Sequence, residues 1–467
     1  MNFKLNPWAC GPIAALAVAL TVVGCGGGGG SSGTVAPTSS VYSGPITGFG
    51  SVIVNGVRFD TVGANTVDDD GNPVRLDELR LGMMVTVGGD ADDATSRGTA
   101  TQLSLTHGTT GAITSIDTVA GTLVLLGQTV TTNASTIYEG VATFGDLIVG
   151  DPIEVYGVLQ SDNTLLATLI EKKSALSGVR LVGYMSALDT ITQTFVVGGL
   201  TVNYAAVSPA PSGLDNGKRV KIRATTGPDL VTGVLTAASV KVNEGAANGE
   251  NVAANSYLKL KGIAETAPVN GLLKVSGTPV DVSAATFVGG SSITAGQVIK
   301  VKGIWDGSVL KATKVQVGAD DNDRNELYGA VSSLTTVGST TTVVVHDVTV
   351  DVSNAVFTHG SLGQLAVGSY VEIKGHVVDG VLIATKVELK TGHAAAGFTF
   401  EDFGVISDFT SASSFKVNGV AVDASAARFA HGTASDLADG AYVEIEGAQN
   451  DAGVFVATKV EFKAPPV

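Results

Sequence analysis

Two short phrases recur six times along the chain, in constant order and at near-constant spacing. The first opens on a glycine, alternates apolar and polar residues, and closes on a small residue. Gly368-Ser-Tyr-Val-Glu-Ile-Lys-Gly375 is typical, and its copies run 82–89, 150–157, 217–224, 296–303 and 440–447. The second phrase reads Ala384-Thr-Lys-Val-Glu-Leu389 and returns at 100–105, 167–172, 237–242, 312–317 and 457–462. Successive copies of it lie 67, 70, 75, 72 and 73 residues apart. A fixed period of this kind means one supersecondary unit used over and over. Each phrase alternates with period two, the signature of a half-buried strand. In the copy quoted, Val371 and Ile373 face a core while Glu372 and Lys374 face water. Asp306-Gly307 and Asp379-Gly380 join the two phrases in their units. Asp-Gly accepts the positive φ of a tight reverse turn, so the two strands are antiparallel neighbours.

A second hairpin lies upstream in each unit. It is plainest at Asn55-Gly56 and Asn418-Gly419, and the same site holds Gly198-Gly199, Ser276-Gly277 and His346-Asp347. An opening strand precedes it, carrying Gly48, Gly111, Gly183, Gly262, Gly329 and Gly404. Between the hairpins stands a Leu or Ile and then a Gly, room for one helical turn at most. The fold class expected is therefore all-β, six tandem small five-stranded β-barrels of the OB type. A small sandwich is the rival, because strand order in space is not readable. The units are 43–107, 108–176, 177–243, 257–318, 325–391 and 398–464, with the longest joint at 243–256 as the best hinge.

The N-terminus reads as an address. Lys4 precedes an apolar run from Ile13 to Val23. At ~1.5 Å per residue such a run is too short for a ~30 Å hydrocarbon core, and it fits a secretory signal instead. The run ends Val22-Val23-Gly24-Cys25, which resembles the bacterial lipobox. That resemblance implies removal of residues 1–24 as a signal peptide and lipidation of Cys25, with Gly26 pointing to the outer membrane. The chain has two cysteines, Cys10 and Cys25; cleavage and lipidation would leave neither a disulfide nor a thiol nucleophile. Residues 25–42 are rich in Gly and Ser and read as a flexible tether of ~20 Å root-mean-square span.

The opening Ser43-Gly-Pro-Ile-Thr-Gly-Phe-Gly-Ser-Val-Ile-Val-Asn-Gly-Val57 and the Ala-Thr-Lys-Val-Glu closings resemble the repeats of the bacterial domain of unknown function 5666 family. The resemblance covers nearly all of residues 43–464 and is weakest in the third unit, around Pro209 and Pro211. It implies secretion and a β-barrel-like module, and no activity.

Chemistry is harder to find. With 28 basic against 43 acidic residues the net charge is -15, and the footprint of a nucleic-acid binder is basic. An oligonucleotide-binding barrel also needs a platform of aromatics, and the one Trp beyond the signal is Trp305. His359-Gly360 and His431-Gly432 occupy one site in two units, where a turn residue before Gly is the simpler explanation. Asp68-Asp69-Asp70, Asp90-Ala91-Asp92-Asp93 and Asp320-Asp321-Asn322-Asp323 invite calcium. Counted from Asp68, however, the EF-hand glycine is Pro73 and the closing glutamate is Leu79. A solvated turn or linker is the expected role of these clusters. Glu372 and Glu444 belong on a solvent face, and no polar constellation is seen to recur with the framework. The function expected is a non-enzymatic envelope or surface lipoprotein, a binding or spacer module without cofactor or metal. It would meet the membrane through its lipid and take a protein or glycan partner rather than nucleic acid. The alternatives are an envelope glycan hydrolase and a calcium-dependent adhesin-like protein.

Overall fold

The computed structural model describes residues 40–61, 63–92, 96–242, 252–318, 325–390, 400–417, 420–449 and 454–463. Val22, Val23, Gly24 and Cys25 lie outside them, as do Asp93 and Asp320–Asp323. Among the described residues the chain forms strands and a few single 3-10 turns, and no helix is long and apolar enough to cross a membrane.

The first barrel shows the circuit. β1 (Ser40–Phe49) pairs antiparallel with β2 (Val52–Val54), and β2 with β3 (Val57–Asp60). β3 runs parallel to β6 (Arg97–Thr106). β6 is antiparallel to β5 (Met84–Asp92), and β5 returns beside β1 to close the ring. β4 (Asn65–Asp68) adds a short parallel rung to β6. The fourth main strand lies beside the first, which is Greek-key order. The same closed circuit runs through residues 109–172 and 179–242. It recurs at 256–317, where an isolated bridge from Ala264 to Val275 joins the first two strands. Residues 325–389 and 400–462 repeat it as well. These are barrels 1 to 6 below. The strand order decides for barrels over the sandwich.

The repeated phrases now have physical causes. Leu79, Leu147, Leu365 and Leu437 each follow a 3-10 turn and are buried, so the Leu ahead of the glycine joins the apolar core. The glycine that closes the first phrase sits at a β-bulge. Register slips at Gly89, Gly157, Gly303, Gly375 and Gly447. A Cβ at any of these would run into a carbonyl of the partner strand, that of Ile383 in the case of Gly375. A bulge bends its strand sharply, which helps a small sheet close. In barrel 3 the position is Ala224, and there the ladder of Arg219–Ala224 with Ser239–Val242 stops one residue short of it, at Arg223 opposite Ser239.

Ser40, Val41 and Tyr42, expected at the end of the tether, belong to β1. Tyr42 is 1% exposed and packs edge-on against Phe59, with ring centroids 4.9 Å apart. That burial draws the strand three residues further back than its phrase suggests.

The barrels do not follow one another like beads. β1 also pairs in parallel with the first strand of barrel 4, Ser40 opposite Tyr257 through Ser43 opposite Leu260. Its far end pairs with the first strand of barrel 5, Gly48 opposite Glu326. Asn55 donates to the carbonyls of Ser43 and Lys259, at 2.8 and 3.1 Å. The cores of barrels 1 and 5 form one cluster, and Ile53 of barrel 1 joins the core of barrel 6. Arg58 lies over the Tyr328 ring at 4.3 Å, and Arg75 faces the Tyr442 ring. Barrel 1 is thus a hub. Residues 243–251, within the joint expected to be a hinge, lie outside the described residues. Barrel 4 beyond them is held to barrel 1 by a strand ladder.

Gly375→Val is expected to destabilise the protein by ~1–3 kcal/mol through overpacking at the bulge. Gly363→Ala, where a Cβ meets nothing within 4 Å, should change it by less than ~0.5 kcal/mol. Chemical denaturation of the two variants checks the contrast.

Candidate functional site

A polar constellation does recur, on the outer face of the two phrase strands, and this corrects the expectation that none does. In barrel 5, Glu372 stands directly opposite Glu388. Lys390 Nζ lies 2.6 Å from Glu372 Oε2 and 2.8 Å from Glu388 Oε1. In barrel 6, Glu444 stands opposite Glu461, and Lys463 Nζ reaches them at 2.8 and 2.6 Å. In barrel 2, Glu154 stands opposite Glu171, and Lys173 Nζ reaches them at 3.2 and 2.6 Å. Two like charges facing each other across a ladder repel, and one ammonium between them reverses the sign. Glu372 and Glu444 are buried rather than solvated, because the lysine stem covers them while its head pairs with them. The lysine stands one residue beyond the second phrase, at Lys173, Lys390 and Lys463. It therefore lies just outside the six-residue repeat of that phrase.

The electrostatics follow. Burial disfavours the charged form of Glu388 and Glu461, but hydrogen bonds from their lysines outweigh it and hold both carboxyls at about 2. Glu154 is likewise held at about 2, against burial, by His107, Lys173 and Arg180. Burial raises Glu171 instead. A general acid must carry its proton near working pH, and these depressed carboxyls do not. The ammonium also fills the gap where a substrate bond would sit between a carboxylate pair. What the arrangement does chemically is clamp two strands.

His359 and His431 stand at φ 54° and 53° ahead of a glycine, as a turn requires. Their Nδ1 atoms lie 3.2 and 3.1 Å from Glu388 and Glu461. His346 is half-buried, and its Nε2 donates to the Tyr328 carbonyl at 2.7 Å. Phe49 packs against the ring of His346 at 6.1 Å, on the border of barrels 1 and 5. Tyr184 packs on the core of barrel 2, its hydroxyl 3.5 Å from Glu265 of barrel 4. Trp305 is in the core of barrel 4.

The same outer positions change character where barrels meet. In barrel 1 they are Thr86, Ser104 and Thr106, all buried. In barrel 3 they are Lys221 and Lys241, flanked by Arg223, and these three cations meet Asp69 and Asp70 of barrel 1. Lys221 Nζ lies 2.8 Å from Asp69 Oδ2 and 2.9 Å from Asp70 Oδ1, with its side chain 2% exposed. Lys241 Nζ lies 2.7 Å from Asp70 Oδ1, and Arg223 pairs with Asp70 as well. Burial opposes ionisation of Asp70, yet Lys241 and Lys221 hold its carboxyl far below the usual range. Asp68 accepts from the backbone and side-chain nitrogens of Asn72, at 2.7 and 2.8 Å. His107 bridges onward, 3.6 Å from Asp68 and 3.0 Å from Glu154, and Glu154 pairs with Arg180 of barrel 3 at 3.4 Å. Asp68–Asp70 is therefore not a solvated turn. Its three carboxylates are close enough to share a cation, but lysine and arginine from barrel 3 already stand there. A small cleft beside His107 is lined by Met84, Thr109, Leu159, Val182 and Arg219.

Removing one partner from a buried ion pair strands the other, which costs ~3–5 kcal/mol. Lys221→Met is expected to destabilise the protein by about that much and to speed amide exchange in barrels 1 and 3, read by hydrogen-exchange mass spectrometry. Glu388 and Glu461 have carboxyls depressed from 4.5 to about 2. Their contribution is full above about pH 4.5 and is lost as pH falls towards about 2. Glu388→Gln/Glu461→Gln should flatten that acid limb in denaturation midpoints measured against pH.

No curated protein matches the chain. Among solved structures it is similar to one titled "drosophila Unr CSD456", at 12% identity over 45% of this chain and 97% of that one. The TM-score is 0.13, too low to carry an argument. A family profile described as "Domain of unknown function (DUF5666)" matches residues 110–171, 263–316, 328–388 and 403–461, within barrels 2, 4, 5 and 6. Those matches cover half of the sequence, and the chain belongs to the DUF5666 family.

Proposed function

We propose that this protein is a lipid-anchored envelope protein of the outer membrane, a non-enzymatic body of barrels that binds a protein or glycan partner. The observation that carries the anchor is Val22-Val23-Gly24-Cys25 at the end of a short apolar run, followed by a Gly- and Ser-rich tether. Several acyl chains on one cysteine hold a protein firmly at a membrane. The hub arrangement favours a single binding body over an extended spacer, since a spacer gains nothing from folding back on its first unit. The lysine-clamped carboxylates favour binding over hydrolysis. Cys25→Ala is expected to abolish lipidation and move the protein from the membrane to the soluble fraction. Globomycin is expected to block processing of the natural sequence. Unchanged processing and unchanged membrane fractionation would refute the anchor.

A further inference from the structure

His107 sits where three barrels meet. It and Gly108 are the residues between β6, the last strand of barrel 1, and the first strand of barrel 2 at Thr109. The side chain is half-buried, and each ring nitrogen faces a different buried carboxylate. Nε2 lies 3.6 Å from Asp68 Oδ2 of barrel 1, and Nδ1 lies 3.0 Å from Glu154 Oε1 of barrel 2. Glu154 also meets Lys173 of its own barrel at 3.2 Å and Arg180 of barrel 3 at 3.4 Å. The Tyr156 ring stands beside the imidazole, with centroids 6.4 Å apart, and Arg219 of barrel 3 lines the cleft that His107 borders. The backbone here has no slack: a Cβ on Gly108 would run into the Val155 carbonyl. The ring is therefore held between its two carboxylates.

A neutral imidazole has one N–H and one lone pair. Donating to Glu154, it turns the lone pair on Asp68; donating to Asp68, it turns the lone pair on Glu154. One carboxylate is always left unpaired by the ring. An imidazolium donates from both nitrogens, and both contacts become charge-assisted. We propose that His107 is a pH-sensitive latch, which ties barrel 1 to barrel 2 in mildly acidic surroundings and lets go as the pH rises through the imidazole range, about 6 to 7. The other groups around the ring keep their charge across that range. Burial opposes ionisation of Asp68, but hydrogen bonds from Asn72 lower its carboxyl, and Glu154 is held at about 2. Burial opposes the charge of Lys173 as well, but Glu154 and Glu171 raise it. Burial keeps the Tyr156 hydroxyl neutral, and Arg180 and Arg219 stay cationic. Glu171, which burial raises, has the opposite sign, because its protonation on the acid side takes a partner from Lys173. Release loosens the junction without parting it. Arg80 still meets Glu139 at 3.0 Å, and Thr168 still donates to the Gly82 carbonyl at 2.6 Å. The cleft lined by Met84, Leu159 and Val182 lies at this junction, so its walls gain freedom first.

The test is hydrogen exchange by mass spectrometry on the unacylated full chain, Cys25→Ala, at about pH 5.5 and about pH 7.5, corrected for the intrinsic change of exchange rate with pH. Peptides covering 79–87, 104–113 and 152–158 are expected to be about ten-fold better protected at the lower pH, the size of a charge-assisted hydrogen bond. Peptides of barrels 4 and 6 should show no such difference. His107→Gln should remove the difference while matching the natural sequence at the higher pH, where its fold is checked by thermal unfolding. Glu171→Gln should keep the difference. The ring-proton resonance of His107 in the natural sequence gives a second readout that needs no variant, and the gain in protection should follow its titration. Equal protection at both pH values, a difference that survives His107→Gln, or a gain that does not follow the His107 resonance would overturn the proposal.

Discussion

The backbone of β1 is the constraint on which the rest of the body depends. A strand exposes a row of donors and acceptors along each edge, and an uncovered edge invites foreign pairing. Barrel 1 satisfies β1 with β5 and β2 of its own. The strand is ten residues long, and both of its ends reach past those partners. The first strand of barrel 4 takes up one overhang and the first strand of barrel 5 the other. Three barrels thereby share one backbone ladder. Side-chain contacts then draw in barrels 2, 3 and 6, through Arg80 with Glu139, Lys221 with Asp69, and Arg75 over Tyr442.

One set of outer positions has been adapted to what each barrel touches. Barrels 2, 5 and 6 carry two glutamates and a lysine there, a self-contained clamp. Barrel 1 is covered, and its positions hold hydroxyls, which lose less than carboxylates when buried. Thr86 donates to the Ser43 hydroxyl at 3.3 Å. Barrel 3 inverts the charge and grips the aspartates of the hub. Barrel 4 sets Lys300 opposite Gln316 there. The interior phrases stay alike because the barrel must close; the outer residues differ because their surroundings do.

The units and their strands were legible in the sequence because alternation and turn chemistry are local. Val371 and Ile373 enter the core as read, and His359 and His431 sit in turns as read. The assembly was not legible, because nothing local to Ser40 shows that it pairs with Tyr257. Alternation alone assigns Glu372 and Glu444 to water, because it reports which face a residue takes and not what covers that face. Lys390 and Lys463 cover it from the neighbouring strand. Asp68–Asp70 looked like a free turn for the same reason, its partners lying some 150 residues away at Lys221 and Arg223. One signal was available: the Thr86, Ser104, Thr106 pattern of the first unit, where other units carry charge, is what a covered barrel shows.

Disulfide trapping between β1 and barrel 4 tests the hub most directly. Adjacent strands stand ~4.8 Å apart, within the span that a disulfide bridges. In a Cys25→Ala background, the pair Ser40→Cys/Tyr257→Cys is predicted to oxidise to an intramolecular bridge under mild conditions. A control pair that places one cysteine in barrel 6 should not. Failure of the first pair to bridge, in a protein shown to be folded, would contradict a body organised around barrel 1 and favour independent units on a string.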